Sequence, residues 1–551
     1  MNVLFANIPF VTHDPNGQIY TGPSAGSRWP FTLPGAIDYA PFPFFMGYAT
    51  SYLHHHGIDA DFYDGVALRR WDYNLVRQDI ASYRPDLLIL ETATPLANTI
   101  LEFARWAKKE LGSKIVLVGP HIAVYGDELL KDPAVDYVVV GEYEKPILDI
   151  IRNPDGKRKF VYEHIENINT INGNNWLPYR PMDYLYNYWD CSMPTPRAQL
   201  TVSTSRGCPF KCTYCQWPKV MNNGQYRARE PEMVLDEIKT VALQARQHVQ
   251  KRELFMSLAQ QINSMQERGE KVQIQALIRH ANGLLSPKLR HLPAGDDRAG
   301  IQSIFFDDDT WNLGTGRVKK LCDGLKAIGL PWTMMGRIDT SSLPLYDQMV
   351  DSGCVGMRFG VESFNQKLLD NTKKHLDAEK SYSNIKYLVT RFENMEFHFT
   401  TMKNLPGETD ADWQEDSRKL DELREIAKSK NNRVHWQNSD CIAFPGTELW
   451  EEMVALGRGE ALLDFDMYNG QPEKTGKLAE AVGWLGEDYK AKWHKYSKMG
   501  KPELLPKDSD HPEARSGESA TATKSLPESA PAVDLSEQIK SARKVPLPIV
   551  E

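Results

Sequence analysis

The chain reads as an α/β protein built from two successive parallel-sheet domains, with a small helical region towards the C-terminal end. Three observations predict this. Residues 1–152 alternate short apolar runs with amphipathic stretches, the βα rhythm of a doubly wound, Rossmann-like sheet. The same alternation resumes at Leu200 and continues through six units to about residue 460. At 551 residues, 41% hydrophobic and 25% charged, the chain is globular and too long for one ordinary core.

In the first domain, residues 3–8, 58–63, 86–90, 115–118 and 137–140 are rich in Val, Ile and Leu and end at polar or Gly residues, so strands buried on both faces are expected. Helical periodicity marks 44–56, 74–82, 96–111, 127–130 and 145–151. The ligand of such a sheet lies beyond the carboxyl ends of its strands. That gives weight to the loops beginning at Asn7, Glu91-Thr92, Gly119-Pro120-His121 and Gly141-Glu142. The Gly-, Pro- and aromatic-rich stretch 16–43 reads as a long loop after the first strand. The triple His54-His55-His56 cannot point one way from consecutive helical positions and reads as a solvated helix end before Gly57.

Residues 153–199 carry many Pro and Tyr with no steady period and read as a linker. The second domain then offers strands at 200–203, 301–306, 332–336, 356–361, 397–402 and 434–442, with a helix over 232–250. About fifty residues, 245–300, intervene between the first helix and the second strand. Helices are expected there at 254–268 and 273–280, with a turn at 293–297. Region 461–500 is expected to be helical at 479–498. The Ser-, Pro-, Glu- and Lys-rich tail 501–551 is expected to be disordered.

Chemistry concentrates in Ser205-Arg206-Gly207-Cys208-Pro209-Phe210-Lys211-Cys212-Thr213-Tyr214-Cys215, which holds three of the seven cysteines at C-x3-C-x2-C. Structural zinc takes four ligands, and neither His nor Cys recurs at knuckle spacing downstream. A [4Fe–4S] cube held by three thiolates leaves one iron open to a ligand. Zinc and three unrelated core cysteines are the alternatives. The remaining Cys191, Cys322, Cys354 and Cys441 are scattered and read as buried free thiols.

This segment resembles the signature of the radical S-adenosylmethionine (SAM) enzymes, and the resemblance spans roughly 195–460. It implies a partial (β/α)6 barrel in which Cys208, Cys212 and Cys215 hold the cube, SAM chelates the free iron, and Tyr214 lies beside the adenine. Further elements match in order at strand ends: Asp307-Asp308-Asp309 at the SAM amino group, Arg337 and Glu362 at ribose or carboxylate, and Pro406 near the adenine. Taken without the resemblance, the Asp run could cap a helix, and Glu362 could pair with Arg358 or Arg337.

Residues 1–152 resemble the cobalamin-binding domain that precedes many radical SAM cores, through Gly119-Pro120-His121 and Gly141-Glu142-Tyr143-Glu144. The family usually has a second Gly where Pro120 stands. The resemblance implies cobalamin contacts from Asn7, Thr92, Gly119, His121, Gly141 and Glu142. No Asp-x-His-x-x-Gly occurs, so His121 is expected at the nucleotide tail or corrin side chains rather than on cobalt.

The expected activity is methyl transfer from methylcobalamin to an unactivated carbon after hydrogen abstraction by a 5′-deoxyadenosyl radical. A radical cyclase, rearrangement or oxidation enzyme without methyl transfer, and a non-catalytic cobalamin or Fe–S sensor, are the alternatives. The resemblance implies flavodoxin or ferredoxin as electron donor. The substrate is left open among small molecules, lipids and peptides. Lys+Arg 65 against Asp+Glu 73 gives −8, with no basic stripe for nucleic acid. No apolar run reaches membrane-spanning length, no signal-peptide pattern opens the chain, and a cytoplasmic location is expected.

Overall fold

The computed structural model describes residues 1–25, 32–161, 164–190, 195–268, 300–456 and 461–469, with isolated positions 193, 277, 474 and 477–479. The expected helices at 273–280 and 479–498, the turn at 293–297, the tail 501–551, Cys191 and the centre of the 16–43 loop lie outside them, apart from residues 277 and 479. One compact unit comprises Met1–Arg246 with Ala294–Pro502, and a second comprises Gln247–Pro293 with Glu503–Glu551.

The first unit contains two six-stranded sheets. The first sheet consists of β1 (Val3–Asn7), β2 (Ala60–Asp64), β3 (Leu87–Glu91), β4 (Lys114–Val118), β5 (Tyr137–Val140) and β6 (Lys159–Val161). Its spatial order is β2-β1-β3-β4-β5-β6 and every pairing is parallel. Strand order reverses between β1 and β3, and a doubly wound sheet opens its ligand crevice at that point. β1 and β3 are buried at every position, as expected with helices on both faces.

The second sheet runs in chain order: β7 (Gln199–Val202), β8 (Ser303–Phe306), β9 (Trp332–Gly336), β10 (Cys354–Glu362), β11 (Glu396–Lys403) and β12 (Arg433–Asp440), again all parallel. Alternate residues divide its faces. Met357, Phe359, Val361, Phe397 and Phe399 join Leu321, Leu325, Tyr346, Leu388 and Leu423 of the covering helices in one apolar core. On the other parity, Arg358 is paired with His398 and Gly360 with Thr400. A parallel strand with one polar face departs from the usual buried run.

Several local outcomes differ from the sequence reading. The first helix of the second domain runs from Pro231 through Glu267, 37 residues, instead of breaking near 250. The apolar period lapses at Lys251-Arg252-Glu253, yet these are good helix formers with no Gly or Pro to stop the helix. Helix Ile122–Leu129 starts directly after His121 rather than at 127. Part of the 16–43 loop is a three-stranded antiparallel sheet of Phe10–His13, Ile19–Gly22 and Leu33–Pro34. Within the expected linker, β6 joins the first sheet, and Thr170–Ile171 pairs with Asn174–Asn175 around Asn172-Gly173, both at positive φ. Asn-Gly favours that tight hairpin turn. Among the described residues, no helix is long and apolar enough to cross a membrane.

Candidate functional site: two sets of strand ends around one cleft

β7 delivers the chain to Ser205–Arg206, which pairs antiparallel with Arg227–Ala228. Gly207 follows at φ +78°, where an added Cβ would collide with the Gln225 carbonyl, so only glycine passes. Cys208, Cys212 and Cys215 come next, all half-buried. Burial, and then the nearby Cys212, Asp309 and Cys208, push the Cys215 thiol well above its ordinary range. Burial also raises Cys208, opposed by the Thr310 hydroxyl 3.5 Å from its sulfur. Such thiols keep their protons until a metal displaces them. Among the described residues no three Cys, His, Asp or Glu side chains converge where a single ion could sit. Three half-buried free thiols at C-x3-C-x2-C on one loop are a donor set that fits a [4Fe–4S] cluster held through three thiolates.

The three aspartates after β8 divide their work. Asp308 is fully buried and accepts from the Thr204 amide at 3.0 Å and hydroxyl at 3.1 Å, and from the Ser205 hydroxyl. Its carboxylate therefore holds the approach to the cluster loop instead of facing a SAM amino group. Asp307 and Asp309 line a cleft.

Arg337 places its guanidinium 3.7 Å over the Phe210 ring of the cluster loop. It bonds Asp339 in a bidentate fork at 3.1 and 3.0 Å and donates to the Lys374 carbonyl at 3.0 Å. Glu362 sits at φ +69°, a left-handed conformation that a non-glycine residue adopts only at a cost. Its carboxylate accepts from Lys374 Nζ at 2.9 Å and the Thr400 hydroxyl at 3.4 Å. A Cβ on Gly360 would stand 2.6 Å from Glu362 Oε1, so glycine makes room for this buried pair. The partners expected for Glu362 are taken elsewhere, Arg358 by Asp190 at 3.0 Å and Arg337 by Asp339. The Tyr214 ring packs among Tyr125, Leu368, Met402, Leu405 and Cys441, and its buried hydroxyl has no hydrogen-bond partner among the described residues. The Pro406 carbonyl accepts from Asn371 Nδ2 at 2.8 Å.

Across the cleft, the loops of the first sheet also divide. The Asn7 amide donates to Asp64 at 3.0 Å and accepts from the Ala25 amide at 3.1 Å, so it ties loops together rather than facing a ligand. Asp64 in turn is buried, which pushes its carboxyl up to about 6. Glu142 is consumed too, accepting from the Ile165 amide at 2.8 Å and from Arg227, with the Arg206 guanidinium in an ion pair at 3.2 Å. Gly119 has φ +103°, and a Cβ there would lie 2.9 Å from the Thr92 amide. Gly141 has φ +89°.

Thr92 and His121 differ from these. The Thr92 hydroxyl and His121 Nε2 are buried without a protein partner among the described residues. The His121 ring stacks on Tyr125 at 4.7 Å, meets Phe465 edge-on at 4.6 Å, and lies 3.3 Å from the Thr94 hydroxyl through Nδ1. Burial alone pulls its pKa down to about 3, so the ring is neutral. Orphaned polar atoms at the carboxyl ends of β3 and β4 suit a cofactor carrying many amide groups, and on that criterion these residues fit cobalamin.

The two sets meet at an open cleft. Phe44, Phe45, Tyr48 and Glu91 contribute from the first-sheet side, and Ser203, Arg206, Gly207, Trp217, Asp307 and Asp309 from the second. Arg206 and Lys374 have no role assigned from the sequence. Only the position of Arg206 two residues before Cys208 hinted at one.

No family model matches the chain. Among curated proteins, an uncharacterized methyltransferase of Pyrococcus horikoshii is 21% identical over 417 residues, 72% of this chain and 75% of that protein. The anaerobic magnesium-protoporphyrin IX monomethyl ester cyclase of Rubrivivax gelatinosus is 27% identical over 229 residues, 37% of this chain and 39% of its own length. Among solved structures, the radical S-adenosylmethionine methyltransferase TsrM of Kitasatospora setae, bound to tryptophan and a SAM analogue, aligns with a TM-score of 0.54. That alignment covers 83% of this chain and 77% of TsrM at 14% identity. A second TsrM structure holds cobalamin and a [4Fe–4S] cluster. The chain thus shares the fold of a radical SAM methyltransferase, and the resemblance to cobalamin-dependent radical SAM enzymes read from its sequence is borne out.

Proposed function

We propose that this chain is a cobalamin-dependent radical SAM enzyme that transfers a methyl group to an unactivated carbon. One observation carries the reading: the carboxyl ends of both sheets supply residues to a single cleft. On this reading residues 1–152 form the cobalamin-binding domain, 200–460 a partial (β/α)6 barrel, and 153–199 the connection between them. When bound, the three groups supply a reducible cluster, a source of 5′-deoxyadenosyl radical and methyl, and a methyl carrier.

The chain's own residues do the rest. Cys208, Cys212 and Cys215 hold the cluster. Asp307 and Asp309 present carboxylates to the cleft, where a SAM ammonium would be received. Arg337 and Glu362, each fixed by a buried partner, orient the SAM carboxylate and ribose, with Tyr214 and Pro406 flanking the adenine. His121 and Thr92 offer unsatisfied polar atoms to cobalamin, Gly119 and Gly141 let the backbone approach it, and Tyr48, Phe45 and Trp217 exclude water from the reacting carbon. A reductant such as flavodoxin or ferredoxin supplies electrons, and the substrate is a small molecule, lipid or peptide. Similarity to a cyclase over 229 residues favours, as second reading, radical chemistry without methyl transfer.

The test is anaerobic reconstitution with iron, sulfide and hydroxocobalamin, then incubation with SAM and dithionite and mass analysis. The proposal expects both 5′-deoxyadenosine and S-adenosylhomocysteine. Deoxyadenosine alone would favour the second reading, and neither product from a protein with an intact cluster would refute both.

A further inference from the structure

The Gly141-Glu142-Tyr143-Glu144 turn of the first domain and the Ser205-Arg206-Gly207-Cys208 approach to the cluster are bonded to each other. Arg206 is nearly buried, and Glu142 and Glu144 are completely so. Arg206 Nη1 lies 3.2 Å from Glu142 and Nη2 2.6 Å from Glu144. The guanidinium also sits 4.9, 4.8 and 5.2 Å from the ring centroids of Phe45, Tyr48 and Trp176. Arg227, on the strand that pairs with Ser205–Arg206, makes a second ion pair with Glu142. Two arginines and two glutamates thus form a neutral buried set, which is how buried charge is tolerated. Between the two glutamates, the Tyr143 hydroxyl donates to Glu91 Oε2 at 2.9 Å, and Glu91 lines the cleft.

One hydrogen bond to Glu144 and an ion pair with Glu142, both buried, fix the position of Arg206. Arginine presents rigid, planar donors, and the aromatic faces fix the guanidinium plane. Beyond Arg206 the chain has no slack, because Gly207 admits no side chain and Cys208 follows at once. Partners one shell out from metal ligands set the ligands' orientation and the metal's electronics.

We propose that Glu142 and Glu144 are positioning residues for the cluster: through Arg206 they set the placement of Cys208, and so the response of the cluster to SAM. This rests on the reading that Cys208, Cys212 and Cys215 hold a [4Fe–4S] cluster. It assigns to the two glutamates of the first domain's Gly-Glu turn a role towards the cluster.

The test compares the unsubstituted protein with E144Q, R206K and the E144Q/R206Q double variant, each reconstituted anaerobically with iron and sulfide. Iron content and the visible spectrum of the unsubstituted protein come first. Absence of a four-iron cluster there overturns the reading beneath the proposal. With a cluster present, the readouts are the EPR spectrum of the reduced cluster with and without SAM, and the rate of 5′-deoxyadenosine formation.

All three variants keep the thiolates, so iron content is expected at the unsubstituted level. E144Q is expected to lose or shift the SAM-induced EPR change and to slow deoxyadenosine formation roughly 10- to 100-fold. R206K, which keeps the charge without the fork, is expected to fall between. If E144Q does not fold with Arg206 left short of a partner, the double variant, which removes both charges, carries the test and should show the same altered EPR response. An unsubstituted EPR response and rate in E144Q or in the double variant would overturn the proposal.

Discussion

The strand-end loops of the two sheets spend their polar side chains differently. In the first sheet, Asn7 and Glu142 are consumed by protein partners, whereas among the described residues the Thr92 hydroxyl and His121 Nε2 have none. In the second, Asp307 and Asp309 face the cleft while Asp308 turns away. A polar residue at a strand end is therefore not by position a ligand contact. What separates Asp308 from Thr92 and His121 is whether the described residues supply hydrogen-bond partners, and the contrast can be tested from the largest effect down.

The thiolates have no substitute. Replacing Cys212 by Ala should abolish the four-iron visible spectrum and reduce SAM cleavage to the uncatalysed background, with little change in thermal unfolding. A C212A protein retaining the cluster would remove the second sheet's side of the comparison.

Next comes the buried pair behind Glu362. K374M would leave that carboxylate without its cation, which costs about 3–5 kcal/mol in a buried ion pair. Denaturant unfolding should register this, and a loss below about 1 kcal/mol would mean that Lys374 does not compensate Glu362.

The aspartates give the sharpest contrast. D308N should lower unfolding free energy by about 1–3 kcal/mol, because it disturbs buried bonds to Thr204 and Ser205. D307N, at a residue that lines the cleft, should weaken SAM binding measured by calorimetry more than D308N does. The reverse order would exchange their roles.

A further effect is one of pH. Because His121 is neutral when folded, with a pKa near 3 against 6.5 unfolded, only the unfolded chain takes up the proton between those values. Stability should be full above pH 6.5 and decline as pH falls towards 3. H121F should flatten that acid limb in urea titrations at several pH values. An unchanged slope would place the buried neutral imidazole elsewhere.

Most of this fold was legible because buried parallel strands are written as apolar runs. Residues 137–140 were read as a strand and are one, and β1, β3 and β4 fell within a residue or two of their expected bounds. Breaks were harder to read than runs. At Lys251-Arg252-Glu253 the apolar period fails but the backbone has no reason to stop, so one helix was read as two. β6 is three residues long and too short to show a period.

The site was legible where covalent spacing defines it, as at Cys208, Cys212 and Cys215. It was not legible where identity depends on orientation. Nothing in Asp307-Asp308-Asp309 says which carboxylate turns inward, since that follows from the Thr204 and Ser205 donors a hundred residues earlier. Lys374 carries no local pattern at all, and its part appears only when β10 and the chain after Asn371 are brought together. Glu142 stood in a recognisable turn, but the turn did not disclose that Arg206 would occupy it.

On the proposed function, the cluster and cobalamin share one cleft. EPR of the protein loaded with reduced cluster alone, with cob(II)alamin alone, and with both tests it most directly. If the strand ends of both sheets face each other across that cleft, the two paramagnets lie close, and the spectrum of the doubly loaded protein should show broadening or splitting absent from the sum of the separate spectra. A doubly loaded spectrum equal to that sum would contradict the account.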